Sequence, residues 1–343
     1  MNRLSLENDE LEGANNVYLF DADDRTVLVD TGERSREGRL REALGAEGVT
    51  FADVDDILLT HWHPDHTGLA ATVQGAGDAT VHIHERDAPL ATGDEDAWRA
   101  FLGSQQTRLE AWGLPDTKRE ELVAEQRQKD GPDATLSAVS PFVGGESFTV
   151  GDRELTVLET PGHTAGSVCV ALEGNGTAGS REVITGDTVL PHYTPNVGGT
   201  DTRMEHPLDS YLSSLHALAG ADYERGWPGH REPVADPTQR AREIVAHHEQ
   251  RAGQVLAILE RRGPATVWEV CTALFGELER FHILVGAGEA FAHLAHLERQ
   301  GDIERVDDTY TYRLVDDTKE AFGDEVDTWS LSVSDRAGTH TLR

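Results

Sequence analysis

Thr60-His61-Trp62-His63-Pro64-Asp65-His66-Thr67-Gly68 is the stretch that decides how this chain is read. Three imidazoles and a carboxylate fall within six positions, directly after the apolar run Ile57-Leu58-Leu59. Buried polar side chains need partners, so four of them in one turn imply something for them to bind. His and Asp together suit borderline divalent metals. The stretch therefore points to a metal-dependent enzyme, and further ligands are expected elsewhere in the chain.

Working outward, one theme recurs: a short β-like run followed at once by a polar residue in a tight turn. Asn16-Val17-Tyr18-Leu19-Phe20 and Thr26-Val27-Leu28-Val29 lead to Asp30-Thr31-Gly32. Leu155-Thr156-Val157-Leu158 leads to Pro161-Gly162-His163, Val183-Ile184-Thr185 to Gly186-Asp187, and Gly226-Trp227-Pro228-Gly229 to His230. Runs of Val, Ile and Leu ended by breakers read as buried strands, and loops at strand ends carry functional side chains. Helical stretches such as Ser35 to Leu44 and Leu208 to Ala219 intervene, so helices packed on sheets are expected. With His163, Asp187 and His230 the candidate ligands number seven, five His and two Asp. That is too many for one tetrahedral ion. It suits two ions roughly 3.5–4 Å apart, sharing a carboxylate and a water whose pKa falls toward about 7.

Residues 96 to 130 have a different texture, helical and strongly charged around Ala97 to Leu102 and Arg119 to Gln128. They read either as an inserted helical lid or as a solvated pair of surface helices. After His230 comes a linker with Pro233 and Pro237, then a helix from about Thr238 to Arg262, on which His247-His248 are expected to be solvated. Thr266 caps a second helix. A third spans about Ala287 to Gln300, and Ile303 to Val306 pairs with Tyr310 to Leu314 across Asp307-Asp308-Thr309 as a hairpin. Three helices followed by a two-stranded wing is the winged-helix order. The third helix offers one Arg and two Glu and no basic stripe, so packing is expected of it and not DNA reading. The expected domains are 1–235 with a helical insert at about 96–130, 238–314, and a polar tail at 315–343.

Composition narrows the function classes. The chain has 62 acidic against 30 basic residues, a formal net charge of −32, and its lysines are Lys118, Lys129 and Lys319 alone. Such a balance weakens a case for nucleic-acid binding, which needs clustered cations. Its regular apolar runs favour a folded protein over a disordered one, and the scarcity of lysine resembles haloarchaeal proteins adapted to high salt. Cys169 and Cys271 are too far apart in sequence to form a metal-binding CxxC, and Cys169 is expected to be an inert core thiol. With no secretory h-region and no run of roughly 18 apolar residues, a cytoplasmic protein with no membrane partner is expected.

The ordered set His-Xaa-His-Xaa-Asp-His, Pro-Gly-His, Gly-Asp and Pro-Gly-His, with Asp-Thr-Gly upstream, resembles the metallo-β-lactamase superfamily across Asp30 to His230. The resemblance implies an α/β fold, an αββα sandwich with metals at one rim, followed by the small winged-helix domain. It implies that His61, His63 and His163 hold one ion, that Asp65, His66 and His230 hold the other, that Asp187 bridges them, and that Asp30 orients ligands from behind. Departures narrow the branch. Asp187 stands where one major class of true β-lactamases has Cys, and His63 stands where flavodiiron proteins have an acid. Only 42 residues separate Asp187 from His230, too few for the β-CASP insert. What remains resembles the glyoxalase II-like hydrolases, in particular the lactamase-β-2-like subfamily with a C-terminal winged helix. Helices carrying the basic and Tyr residues that hold glutathione are not evident.

The expected function is a binuclear hydrolase in which a metal-bridging hydroxide, positioned by Asp65 and Asp187, attacks an ester, thioester or lactone. The alternatives are a metal-dependent phosphodiesterase acting on RNA and a metal-stabilised winged-helix binding or regulatory protein. The cofactors expected are two divalent ions, zinc first, with iron or manganese as alternatives. The expected partners are a small-molecule substrate and a second copy of the chain in a homodimer. His192 and Tyr193, on the loop leaving Asp187, are candidate substrate-pocket residues, with Arg203 and His206 as weaker ones. His82 and His84 are expected to be structural, and Trp62 to pack behind the ligands.

Overall fold

The computed structural model describes residues 1–7, 13–126, 136–137, 139–174, 181–306 and 310–316. The expected end of the second charged helix (127–128), the hairpin turn Asp307-Asp308-Thr309 and the tail from 317 lie outside them. The chain divides into two compact units. One comprises Met1–Ala100, Asp130–Pro195 and Ser210–Arg242; the other comprises Phe101–Lys129, Asn196–Asp209 and Glu243–Arg343.

The first unit is built on two sheets. One runs in chain order: β1 (Asn2–Leu6), β2 (Asn15–Ala22), β3 (Arg25–Val29), β4 (Asp56–Leu58), β5 (Thr80–His84) and β6 (Val139–Phe142). The other comprises β7 (Ser147–Val150), β8 (Arg153–Glu159), β9 (Val168–Gly174), β10 (Glu182–Gly186) and β11 (Arg225–Pro228), again in sequence order. Between the sheets lies a buried core that includes Phe20, Val27, Val29 and Leu58 from the first and Leu155, Val157, Val170 and Ile184 from the second. These are the Val, Ile and Leu runs of the sequence, and alternation sends every second side chain inward. Helices α1 (Glu37–Ala46), α2 (Pro64–Thr67), α3 (Ala70–Gly77) and α4 (Ala88–Ala91) connect strands of the first sheet.

Strand direction places the site. β3, β4, β5 and β6 are parallel, so Asp30 and the His61 loop leave the same edge of the first sheet. In the second sheet β9 is antiparallel to β8 and β10, while β10 and β11 are parallel. His163, Asp187 and His230 accordingly follow strand ends that point one way.

Helices α5 (Glu95–Ala111) and α6 (Asp116–Gln126) cover the charged segment. α7 (Pro207–Gly220) follows, and Ser214 on it donates to the Pro161 carbonyl at 2.8 Å. The second unit also carries α8 (Pro237–Arg262), α9 (Val267–Phe275) and α10 (Phe281–Gln300), with a small sheet in the order β12 (Ala265–Thr266), β14 (Thr311–Leu314), β13 (Ile303–Arg305). Its core joins Trp112, Val255, Leu259, Val270, Phe291 and Leu294. Thr266 caps α9 as its sequence predicts, in a full capping box with Glu269.

Two sequence expectations need correction. α10 starts at Phe281, not near Ala287. Gly286 and Gly288 weaken its helical signal, yet Gly288 is there for close approach: a Cβ on it would lie 2.1 Å from Gly199. His248 is not solvated but fully buried. It occupies the core-facing stripe of α8 with Ala241, Ile244, Ala252, Val255 and Leu259, which recur at helical spacing.

Candidate metal centre

All seven candidate ligands meet in the first unit. His61 Nε2 lies 3.0 Å from His63 Nδ1, and His163 Nε2 lies 2.9 Å from that same nitrogen. A second triad joins Asp65, His66 and His230, with Asp65 Oδ2 at 3.7 Å from His66 Nε2 and 3.3 Å from His230 Nε2. Asp187 stands between the triads. Its carboxylate oxygens lie 3.4 Å from His66 Nε2, 3.5 Å from His230 Nε2 and 3.6 Å from His163 Nε2. Atoms bonded at roughly 2.0–2.1 Å to a tetrahedral ion stand about 3.4 Å apart, which is the spacing seen here.

The chemistry of the donors fits metal ions better than hydrogen bonding. His66 Nε2, His230 Nε2 and Asp187 Oδ1 are buried and find no hydrogen-bond partner among the described residues, a costly state without a cation. The backbone is shaped around them as well. A Cβ at Gly229 would come within 2.5 Å of Asp187 Oδ1 and 2.6 Å of the His66 ring, so the turn before His230 admits only glycine.

Partners behind the ligands fix their tautomers. Asp30 accepts from His66 Nδ1 at 2.8 Å, which leaves His66 Nε2 its lone pair. Asp30 also accepts from the Thr60 amide at 2.8 Å and the Thr60 hydroxyl at 2.8 Å. The Thr60 hydroxyl lies 3.1 Å from His61 Nδ1, so one carboxylate braces two ligands. Asp30 does so with φ of 60°, a left-handed conformation that non-glycine residues seldom adopt and that marks functional turns.

Two supports escape the sequence reading. Asp87, fully buried, accepts from the Trp62 amide at 3.3 Å, the Thr164 hydroxyl at 2.6 Å and the Gly166 amide at 3.0 Å. It ties the His61–His63 turn to the turn carrying His163. Asn15 donates to the Asp65 carbonyl at 3.0 Å. Neither belongs to a motif; a lone Asp followed by Ala88-Pro89 reads as an ordinary helix start.

Charge divides the two triads. Burial, together with the neighbouring imidazoles of His66, His63 and His163, holds His61 well below the usual imidazole range, and His63 is lowered to about 3, mainly by burial. Both are therefore neutral and ready to ligate. Burial opposes protonation of His230 and His66, but their carboxylate neighbours, Asp187 foremost, raise His230 to about 10 and His66 well above its ordinary value. Asp187 and Asp65 are correspondingly depressed by those imidazoles against the effect of burial. A cation bound at this second triad would take the place of those protons.

The expected pocket residues are less uniform. His192 lies 2.5 Å from Glu232 with its side chain 55% exposed, and Tyr193 is 51% exposed beneath the Arg231 guanidinium. Arg203 is held by Asp201 through its Nε at 2.8 Å, and both Arg203 and His206 belong to the second unit. His82 pairs with Asp56 at 2.6 Å and His84 with Glu159 at 3.0 Å, the structural roles expected of them. Trp62 packs edge-on against His63 and Trp98. Burial raises the Cys169 thiol to about 11, as suits an inert core residue.

Residues 11–230 match the metallo-beta-lactamase superfamily model, and residues 253–315 match the metallo-beta-lactamase-like C-terminal domain. The crystal structure of a metallo-beta-lactamase family protein from Thermus thermophilus is 32% identical with a TM-score of 0.76, covering 92% of this chain and 98% of that one. The probable metallo-hydrolase YqjP of Bacillus subtilis (strain 168) is 28% identical over 83% of this chain and 88% of its own length. The atrochrysone carboxyl ACP thioesterase of Aspergillus fumigatus is 26% identical over 78% of this chain and 70% of its own. Fold, ligand clusters and matches agree: the chain belongs to the metallo-beta-lactamase superfamily, with a metallo-beta-lactamase-like C-terminal domain.

Proposed function

We propose that this protein is a hydrolase with two divalent metal ions, zinc by ligand type, that cleaves a carboxylic ester, a thioester or a lactone. The observation that carries the reading is the meeting of two three-residue ligand sets at Asp187. His61, His63 and His163 would hold one ion and Asp65, His66 and His230 the other, with Asp187 a ligand available to both. When bound, such a pair supplies a nucleophile from water near neutral pH and polarises the carbonyl under attack. Asp187 and Asp65 orient the attacking water by accepting its hydrogen bonds. Asp30 keeps the His66 proton on Nδ1, away from the reacting side. Asp87 holds the two His-bearing turns at fixed separation.

Similarity to a protein named as a thioesterase favours the ester and thioester class. The side chains at His63 and Asp187, and the short span between Asp187 and His230, favour the glyoxalase II-like branch. The order α8, α9, α10 and then β13 and β14 favours a winged-helix reading of the C-terminal part. Burial of α10 from Ile283 to Leu297 weighs against its use as an exposed helix for reading nucleic acid. A net charge of −32 with three lysines favours work at high salt.

The test is turnover by the full chain in high salt, loaded with Zn²⁺, Mn²⁺ or Fe²⁺, on a panel of thioesters, esters and lactones and on single-stranded RNA. Turnover of the carbonyl panel, lost in His63→Ala, is expected. Cleavage of RNA with no carbonyl turnover would replace this reading with a phosphodiesterase. Activity that survives His63→Ala would refute both.

A further inference from the structure

The second unit contains a cluster that the first centre does not use. We propose that His248 on α8 and Glu289 and His293 on α10 form a second kind of metal site, binding one divalent transition-metal ion, zinc by ligand type, that cross-links the two helices.

Spacing supplies the first argument. Glu289 and His293 are four residues apart, so they share one face of α10. His248 lies on the core-facing stripe of α8, and the three ligand atoms fall within 4.8 Å of one another. Orientation supplies the second. His293 Nδ1 lies 2.8 Å from the Glu289 carbonyl and donates to it, which leaves Nε2 its lone pair. That Nε2 stands 3.2 Å from His248 Nδ1, and Glu289 Oε1 stands 3.9 Å from His248 Nδ1. Edges of about 3.4 Å are those of a tetrahedral ion bound at roughly 2.0–2.1 Å. The nitrogen-to-nitrogen approach matches those of 3.0 and 2.9 Å among His61, His63 and His163.

Burial supplies the third. His248 and His293 are wholly buried and Glu289 is 8% exposed. Burial holds His248 well below the usual range, lowers His293 to about 3, and raises the Glu289 carboxyl to about 7 against the pull of Arg251. Two neutral imidazoles and a carboxylate short of positive charge are the donors a divalent cation satisfies. Two-His, one-carboxylate sets leave a further position for water. Here all three side chains are buried between α8 and α10, so the ion's role would be structural.

The competing arrangement keeps Glu289 protonated and lets His248 donate to His293, with no ion. Metal content separates the two. The full chain is stripped with chelator, reloaded with zinc, desalted and measured for zinc per chain, beside His248→Ala and His293→Ala treated identically. Each variant is expected to hold one ion fewer than the parent while its hydrolytic turnover is retained. An unchanged ion count in folded variants would overturn the proposal. Should neither variant fold, anomalous scattering at the zinc edge from crystals of the zinc-loaded parent decides. A peak bonded to His248 Nδ1 and His293 Nε2 is expected, and its absence would overturn the proposal. None of these ligands belongs to the first centre, so failure of the hydrolase reading would leave the count difference intact.

Discussion

At the first centre seven candidate ligands come from four strand-end loops, and four of them crowd between His61 and His66. At the helix pair three ligands come from two helices, and no two lie closer than four positions. The difference is one of scaffolding. A loop at a strand end can gather polar groups without disturbing the core, because the strands bury their own apolar faces. A helix has no such freedom. Its ligands must occupy positions of the buried stripe, where apolar residues would otherwise pack, so they arrive at intervals of three or four. The first arrangement suits an accessible reactive centre and the second a closed, structural one.

Asp187→Ala probes that contrast with the largest expected effect. Removing the carboxylate between the triads forfeits charge stabilisation worth several kcal/mol, so turnover should fall roughly a thousandfold or more. His248→Ala, measured in the same assay, should leave turnover standing. Equal losses would erase the functional distinction between the clusters. A smaller effect belongs to Asp30→Asn, which replaces the acceptor bracing His66 and Thr60. Metal affinity or turnover should fall by about 10–100-fold. An unchanged zinc dissociation constant and rate would mean that His66 is oriented by other contacts.

His82 offers a third case, a partly buried histidine paired with a single carboxylate. Asp56 accepts from His82 at 2.6 Å and from Arg25 at 2.6 Å. Burial raises its pKa, but those two partners outweigh it and the net shift is downward. A depressed carboxyl contributes stability above its unfolded pKa near 4 and loses it as pH falls through the folded value. Asp56→Asn should therefore cost about 1 kcal/mol at pH 7, since Arg25 is partly exposed, and that cost should shrink below about pH 4. Chemical denaturation at the two pH values checks this; a cost that grew in acid would reverse the assignment.

Legibility in the sequence follows the same physical divide. The His61–His66 turn and the two Pro-Gly-His turns could be read because ligands and breakers are adjacent in the chain. The strands beneath them could be read because buried runs are continuous in Val, Ile and Leu. Asp87 could not, because the Trp62, Thr164 and Gly166 groups it holds lie 25 to 79 residues away and its own neighbours carry no motif. His248 was legible in principle, from its place in the stripe of Ile244, Ala252, Val255 and Leu259, but the polar pair His247-His248 masks that period. The start of α10 is obscured by two glycines that serve packing: Gly288 lies against Gly199, far away in sequence, and Gly286 against Leu278 and Cys271.

The cluster around Asp187 is proposed to hold two ions. Elemental analysis of the full chain, purified without chelator and carrying His248→Ala so that the helix pair contributes nothing, tests it most directly. Close to two metal ions per chain are expected, falling when Asp187→Ala is added. A content near zero, or one that Asp187→Ala leaves unchanged, would contradict it.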